Sequence, residues 1–384
     1  MIDIIEKLSS FDENIRKESL YEIKNLIKKG IIKKDSSIGW LNLHLHTFHS
    51  FNYKNWSPGR IVFEGWKIGL KYIGTVDFDT LTGLEETILA GEILGIDVIG
   101  GFESRVFIPE CKNIIINSPK EPGIYYLCGK GFKRHPGKNS ETGKFFHKMK
   151  EIAQERNKKV IEKLNNYLKE IKIDYKKDVL PLTPSENPTE RHIILAYQRK
   201  SEEILQESVD KFWSEILEIP ENIVKKLRKE KQGDFQEKIR VKLVKYGGPG
   251  YIFPEKESFP KFDEVVAMTE KAGGIPIGTW LDGTNEGEKE PTKLLEFLKS
   301  KKIKGITIIP ERNWNIKNIE EKKEKVKNLE KFMSICEKME MPVICGTEMN
   351  KFGQPFVDDF TQPELSKYLP YFLKSAEKLS YLTF

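Results

Sequence analysis

Paired cysteines are missing from this 384-residue chain. Cys111, Cys128, Cys336 and Cys345 have no short paired spacing. The pattern supports neither a disulfide framework nor a zinc finger, and it fits a reducing cytosol. Long apolar runs are missing too. None approaches the ~18 residues that a membrane span needs, so no membrane partner is expected. The opening Met1-Ile2-Asp3-Ile4-Ile5-Glu6-Lys7 has no basic start, long apolar core or small-residue cleavage site, so no secretory leader is expected. A large excess of one charge is also lacking. Lys and Arg total 64 against 58 Asp and Glu, a net charge of +6. Basic residues interleave with acidic ones, as in Glu320 to Lys331, and no basic stripe carries aromatics. Nucleic acid is therefore not an expected partner. There is no internal repeat and no low-complexity tail.

What is present is ordinary for a globular protein with a heavily charged surface: 38% hydrophobic and 32% charged residues. The length suits one α/β barrel with insertions as well as it suits two domains.

The most informative stretch is Trp40 to Thr47. Leu41, Leu43 and Leu45 alternate with Asn42, His44 and His46, the period-two pattern of a strand. Residues two apart on a strand point the same way, so two imidazoles face one side, close enough to share a metal ion. Further strands are predicted near Lys71 to Asp77, Ile96 to Glu103, Ile124 to Leu127, Ile275 to Trp280, Gly305 to Ile309 and Pro342 to Thr347. Helical periodicity fills most of the spaces between them. Two helices precede the first strand, and Ser201 to Lys245 reads as a charged helical layer without strands. Seven or so strands, each followed by a helix, suggest a closed parallel barrel.

In such barrels the active site lies at the C-terminal ends of the strands. His44, His46, Asp77, Asp79, Glu103, Glu348 and Asn350 all fall there, so residues scattered in sequence should converge. Arg105 and Arg312 follow strand ends and could clamp an anion. His49 could add an imidazole or touch substrate. His135 lies in a Gly-rich basic loop (Lys130, Lys133, Arg134, Lys138) that could reach over the pocket. Cys128 and Cys345 read as packed apolar groups.

The order of these pieces resembles the PHP (polymerase and histidinol phosphatase) family, metal-dependent phosphoesterases on a distorted barrel. Leu43-His44-Leu45-His46-Thr47 resembles the opening His-x-His motif. Gly74 to Thr80 with Gly83 resembles the second motif, and Val98 to Ser104 the strand bearing a metal-bridging Glu. Arg191-His192-Ile193, Lys271 to Ile275 and Gly346 to Asn350 resemble the later ones. The chain departs from the family at Phe78, Tyr126, Trp280 and Asn350, where histidines are usual, and at Glu348, which replaces an Asp.

The resemblance implies a distorted TIM-like (βα)7 barrel over 37–384, a helical segment over 1–36 and a helical insertion at about 201–255. The metal ligands it implies are His44, His46, Glu103, His192 and Glu348, and mixed His/carboxylate donors suit Zn, Mn or Fe. Phe78 and Trp280 would make one side of the pocket apolar. The expected function is a cytoplasmic metal-dependent hydrolase, phosphoesterase-like, acting on an anionic small molecule. Asp77 would handle the proton, and Arg105 or Arg312 would hold the substrate. The alternatives are a degenerate barrel that binds without catalysis and a single-metal amidohydrolase or sugar-directed enzyme.

Overall fold

A computed structural model describes residues 2–253 and 258–381. The expected insertion boundary at 255 and the chain end at 384 lie outside them. The strands are β1 (Leu41–Leu45), β2 (Tyr72–Phe78), β3 (Asp97–Val98), β4 (Gly101–Phe107), β5 (Ile124–Lys130), β6 (Ile275–Trp280), β7 (Gly305–Ile308) and β8 (Val343–Cys345). Seven of them form one path in the order β1-β2-β4-β5-β6-β7-β8, and the short β3 pairs with β2 off that path.

The ends of the path meet without a ladder. The His46 amide donates to the Glu348 carbonyl at 3.0 Å, and Asn42 Nδ2 donates to Thr347 Oγ1 at 2.8 Å. Gly346 lets the strands approach this closely. A Cβ there would lie 2.2 Å from Asn42 Oδ1 and 2.6 Å from the His44 amide. The result is a nearly closed, distorted α/β barrel.

The barrel is not wholly parallel, as its alternating pattern suggests it should be. β5 runs antiparallel to both β4 and β6. The cause is the link from β4 to β5. It is a loop over 108–123 with a single short turn, Pro109–Cys111, and no crossover helix. Parallel neighbours need such a crossover, whereas a simple loop returns the chain antiparallel.

This reversal has a spatial consequence. β5 ends at the opposite end of the barrel from the cleft described below. The Gly131 amide donates to Gly100 O just before β4, and Phe132 lies against Gly274 just before β6. The basic loop with Lys133, Arg134, His135 and Lys138 therefore sits at the far end and does not reach over the pocket.

Helices Pro58–Ile68, Leu84–Leu94, Phe262–Lys271, Pro291–Ser300, Ile319–Lys338 and Leu369–Tyr381 cover the barrel. Ser57 caps the first through a hydrogen bond to the Arg60 amide, and Gly69 ends it with a φ of 76°. The N-terminal helices Ile2–Lys7 and Glu13–Lys28 pack on that face. Arg16 Nε meets Glu86 at 2.8 Å, and Arg60 Nη1 donates to Ile5 O at 2.7 Å.

Trp280 belongs to this outer packing. Its ring stacks on Phe332 at 4.3 Å and 6°, so it points away from the pocket expected for it. Strand alternation places its neighbour Thr279 inward instead. Between β5 and Phe262–Lys271 the chain builds five α-helices, Glu141–Leu168, Glu190–Leu205, Val209–Leu217, Glu221–Glu230 and Gln232–Leu243. They share a separate apolar core that includes Tyr197, Trp213 and Phe235.

Candidate metal centre

β1 delivers His44 and the turn after it delivers His46. β4 brings Glu103, the third of its seven residues, beneath both. The Glu103 carboxylate lies 3.4 Å from His44 Nε2 and 3.2 Å from His46 Nε2. None of these three buried atoms has a hydrogen-bond partner. Unpaired polar atoms cost free energy in a protein interior, so a converging set of them points to a missing partner. Donors about 2.1 Å from a shared tetrahedral ion stand about 3.4 Å apart. The two spacings to Glu103 match, and the donors that all lie within 4.8 Å of one another are those of His44, Glu103 and Cys128, so His44 and Glu103 fit a divalent metal with His46 at its edge.

The far sides of the two rings are held. His44 Nδ1 lies 3.3 Å from Thr307 Oγ1 of β7. His46 Nδ1 lies 3.2 Å from Ser50 Oγ, and that hydroxyl donates its one proton to Asp77 Oδ1 at 2.7 Å. Ser50 must then accept from His46, which puts the ring proton on Nδ1 and leaves the Nε2 lone pair for an ion. Phe78 stacks on the His46 ring at 4.5 Å and 23°, fixing its plane. Burial holds the His44 imidazole below its ordinary pKa, so it is neutral and able to ligate. Burial raises the Glu103 carboxyl, and imidazole Nε2 protons turned towards it when no ion is bound outweigh that and hold it below the usual range.

Asp77 is fully occupied with positioning. Besides Ser50 it accepts from the Thr47 amide and the Thr47 hydroxyl, each at 2.8 Å. It is buried and does not line the cleft, where the proton transfer expected of it would take place.

His192 is engaged elsewhere. It starts helix Glu190–Leu205, and its Nδ1 accepts the Thr189 amide at 3.0 Å in a capping box. Nδ1 is committed to the backbone, so in the neutral ring Nε2 carries the proton. Burial lowers its pKa to about 3. Glu348 lies at the cleft but pairs with Arg312 Nη2 at 3.1 Å and with Gln354 at 3.2 Å. His49 is buried, and burial lowers it to about 4. His135 contacts its own loop, and His147 pairs with Glu151 on the surface.

Above Glu103 a cleft of about 1080 Å³, counting its open mouth, is lined by six cations: Arg105, Arg156, Arg191, Arg240, Lys245 and Arg312. Asp79, Glu103, Glu190 and Glu348 share that lining. Glu190 gathers Arg105, Arg240 and Lys245 at 2.9–3.2 Å, and Arg105 also meets Glu121 at 3.0 Å. The inserted helices are thus docked over the barrel mouth by ion pairs. Arg156 lies over the Phe259 ring at 4.6 Å and 3.8 Å from Asp79. Sequence reasoning missed Arg156, Arg240 and Lys245, because they come from inserted helices with no local signal of where they dock.

It also missed Cys128 and Lys130. The predicted strand stopped at Leu127, whereas β5 continues through Gly129 to Lys130. That extension puts Tyr126, Cys128 and Lys130 on one inward face. Donor atoms of His44, Glu103 and Cys128 all lie within 4.8 Å of one another. Lys130 is buried beneath them and donates to Leu43 O. Burial lowers its pKa to about 8.

Burial raises Glu348, but Arg312 outweighs it and holds the carboxyl at about 2. A folded value below the unfolded one adds stability above about pH 4.5 and loses it as pH falls towards 2. The contribution is about 3 kcal/mol. Glu348→Gln is therefore expected to be less stable than wild type near pH 7. The gap should close between pH 4.5 and 2, as read by denaturant unfolding at each pH.

No protein-family model and no curated protein sequence matches this chain. Solved structures do. One is a protein from Bifidobacterium adolescentis described provisionally as a metal-dependent phosphoesterase. It has a TM-score of 0.56 and 17% identity, covering 86% of this chain and 96% of that one. Another is an amidohydrolase from Chromobacterium violaceum solved with bound sulfate and no metal. It has a TM-score of 0.53 and 13% identity, covering 85% of this chain and 96% of that one. At these identities the likeness establishes a shared fold, the distorted α/β barrel described above. Among the described residues no helix is long and apolar enough to cross a membrane.

Proposed function

We propose that this chain is a divergent PHP-family, metal-dependent hydrolase that acts on a small anionic substrate in the manner of a phosphoesterase. The observation that carries the reading is the trio of unpaired buried atoms, His44 Nε2, His46 Nε2 and Glu103 Oε2, at the floor of a cleft with six cationic side chains. Both named neighbours are hydrolases; the metal-dependent phosphoesterase supports this reading, and the amidohydrolase supports the single-metal alternative.

His44, His46 and Glu103 would hold the ion. A divalent ion there supplies Lewis acidity, which generates a nucleophile from water near neutral pH and offsets developing negative charge. Ser50 and Thr307 keep both imidazoles aimed. Arg105, Arg156 and Arg312 border the floor and orient an anionic group by charge-assisted hydrogen bonds. Asp79 is better placed than Asp77 to move a proton. It lines the cleft, and burial raises its carboxyl against the pull of Arg156, so it can carry a proton nearer neutrality.

Asp77→Asn tests the aiming of His46. It removes the charge that draws the Ser50 proton, and metal affinity is expected to fall about 10–100-fold with the fold intact. A metal titration of both proteins, with circular dichroism beside it, measures this.

The reaction class is tested with metal-loaded protein on phosphomonoesters, phosphodiesters, N-acyl amides and lactones. Chelator-sensitive phosphate release is expected. Turnover of amides or lactones alone would move the assignment to a single-metal amidohydrolase. No turnover despite bound metal would leave a binding module.

A further inference from the structure

We propose that Cys128 completes the metal set as a thiolate, so that the site takes one borderline-soft ion of the zinc or cobalt kind in preference to magnesium or manganese. The inference rests on the metal-site reading above and specifies its ligands.

The position follows from strand register. β4 and β5 are antiparallel, and Glu103 pairs directly with Cys128. Directly paired residues of antiparallel strands project on the same face. Tyr126, two residues back, pairs with Arg105 in the same ladder, and both line the cleft. The thiol therefore stands beside the carboxylate. Its sulfur, a Glu103 oxygen and a His44 nitrogen lie mutually within 4.8 Å, and all three residues are buried.

A second observation is independent of the cysteine. His44 Nε2 and Glu103 Oε2 face each other at 3.4 Å, buried and with no hydrogen-bond partner. The sulfur has only a long contact of its own, 4.0 Å to Thr279 Oγ1. A thiol present purely for packing needs no such company. Sulfur, the His44 nitrogen and one carboxylate oxygen, with His46 facing the same carboxylate, are donors for Zn²⁺, Co²⁺ or Fe²⁺, whereas Mg²⁺ favours all-oxygen surroundings. On binding, the S–H bond breaks, the sulfur–metal bond forms and the proton leaves to solvent.

The full-length protein, stripped of metal and loaded with Co²⁺, tests this. The expected result is a near-ultraviolet thiolate-to-cobalt charge-transfer band that grows in step with bound cobalt. Cys128→Ser should lack the band and bind cobalt at least ~10-fold more weakly. X-ray absorption of zinc-loaded wild type should show one sulfur at about 2.3 Å, which needs no variant to fold. Bound cobalt without the band, a band that survives in Cys128→Ser, or a zinc shell without sulfur would each overturn the thiolate while leaving the His–Glu site standing. Elemental analysis showing no bound cobalt at all would instead overturn the metal site itself.

Discussion

Glu103→Ala is expected to empty the metal centre and to lower hydrolysis about 10³-fold, equivalent to about 4 kcal/mol of transition-state stabilisation. Glu103 supplies the oxygen that both imidazoles face, at 3.2 and 3.4 Å. Without it the rings retain Thr307 and Ser50 but lose the carboxylate they share, and a centre short of one ligand and one negative charge holds a divalent ion poorly. The fold should survive. The substitution removes a buried charge, and the β4 backbone remains paired on both sides. Elemental analysis gives metal per chain, and a chelator-controlled hydrolysis assay gives the rate. A variant that kept both its metal and its rate would remove Glu103 from the centre.

Glu190→Ala is expected to lower stability by about 3–5 kcal/mol while leaving the metal ligands in place. Glu190 is the shared anion for Arg105, Arg240 and Lys245. Burial raises its carboxyl, and the three cations more than reverse that, leaving it well below the ordinary range. Taking the anion away leaves Lys245 without a carboxylate and Arg105 and Arg240 with only Glu121 and Glu237. The loss should depend on pH. Burial lowers Lys245 to about 8, and it falls further once Glu190 is gone. A folded lysine value below the unfolded one costs stability while the amine is charged and ceases to do so as it deprotonates. The Glu190→Ala deficit should therefore be larger at pH 6 than at pH 9. Urea unfolding of both proteins at the two pH values measures it. A deficit below about 0.5 kcal/mol at both would show that the ion pairs are dispensable.

His44 was legible in the chain because strand alternation is local, whereas β1 ends at Leu45 and His46 stands in the turn after it. Glu103, Arg105 and Arg312 were expected at strand ends; β4 runs on to Phe107, so the first two lie inside it, and all three line the cleft. Errors of register were harder to avoid. Trp280 and Thr279 differ by one residue, and a one-residue slip turns a side chain to the other face of a strand. Cys128 was hidden for a related reason: Gly129 weakens a strand pattern, and the predicted strand stopped short of it. The antiparallel turn of β5 depends on the 108–123 connection lacking a helix, and that alone sends the basic loop to the far end of the barrel. His192 carries the signature of a helix start, which its capping box explains without a metal. The roles of Ser50 and Thr307 could not be read in sequence. They depend on hydrogen bonds to ring nitrogens that only the closed barrel brings near.

His44, His46 and Glu103 are the residues proposed to bind a metal ion. The most direct test is elemental analysis of untagged wild-type protein from cells supplied with Mn, Fe and Zn, with Glu103→Ala prepared alongside. About one equivalent of a transition metal per wild-type chain, and almost none in the variant, is the expected result. No metal in wild type, with unchanged stability when His44 and Glu103 are replaced, would contradict the account and leave a barrel that binds its ligand without metal.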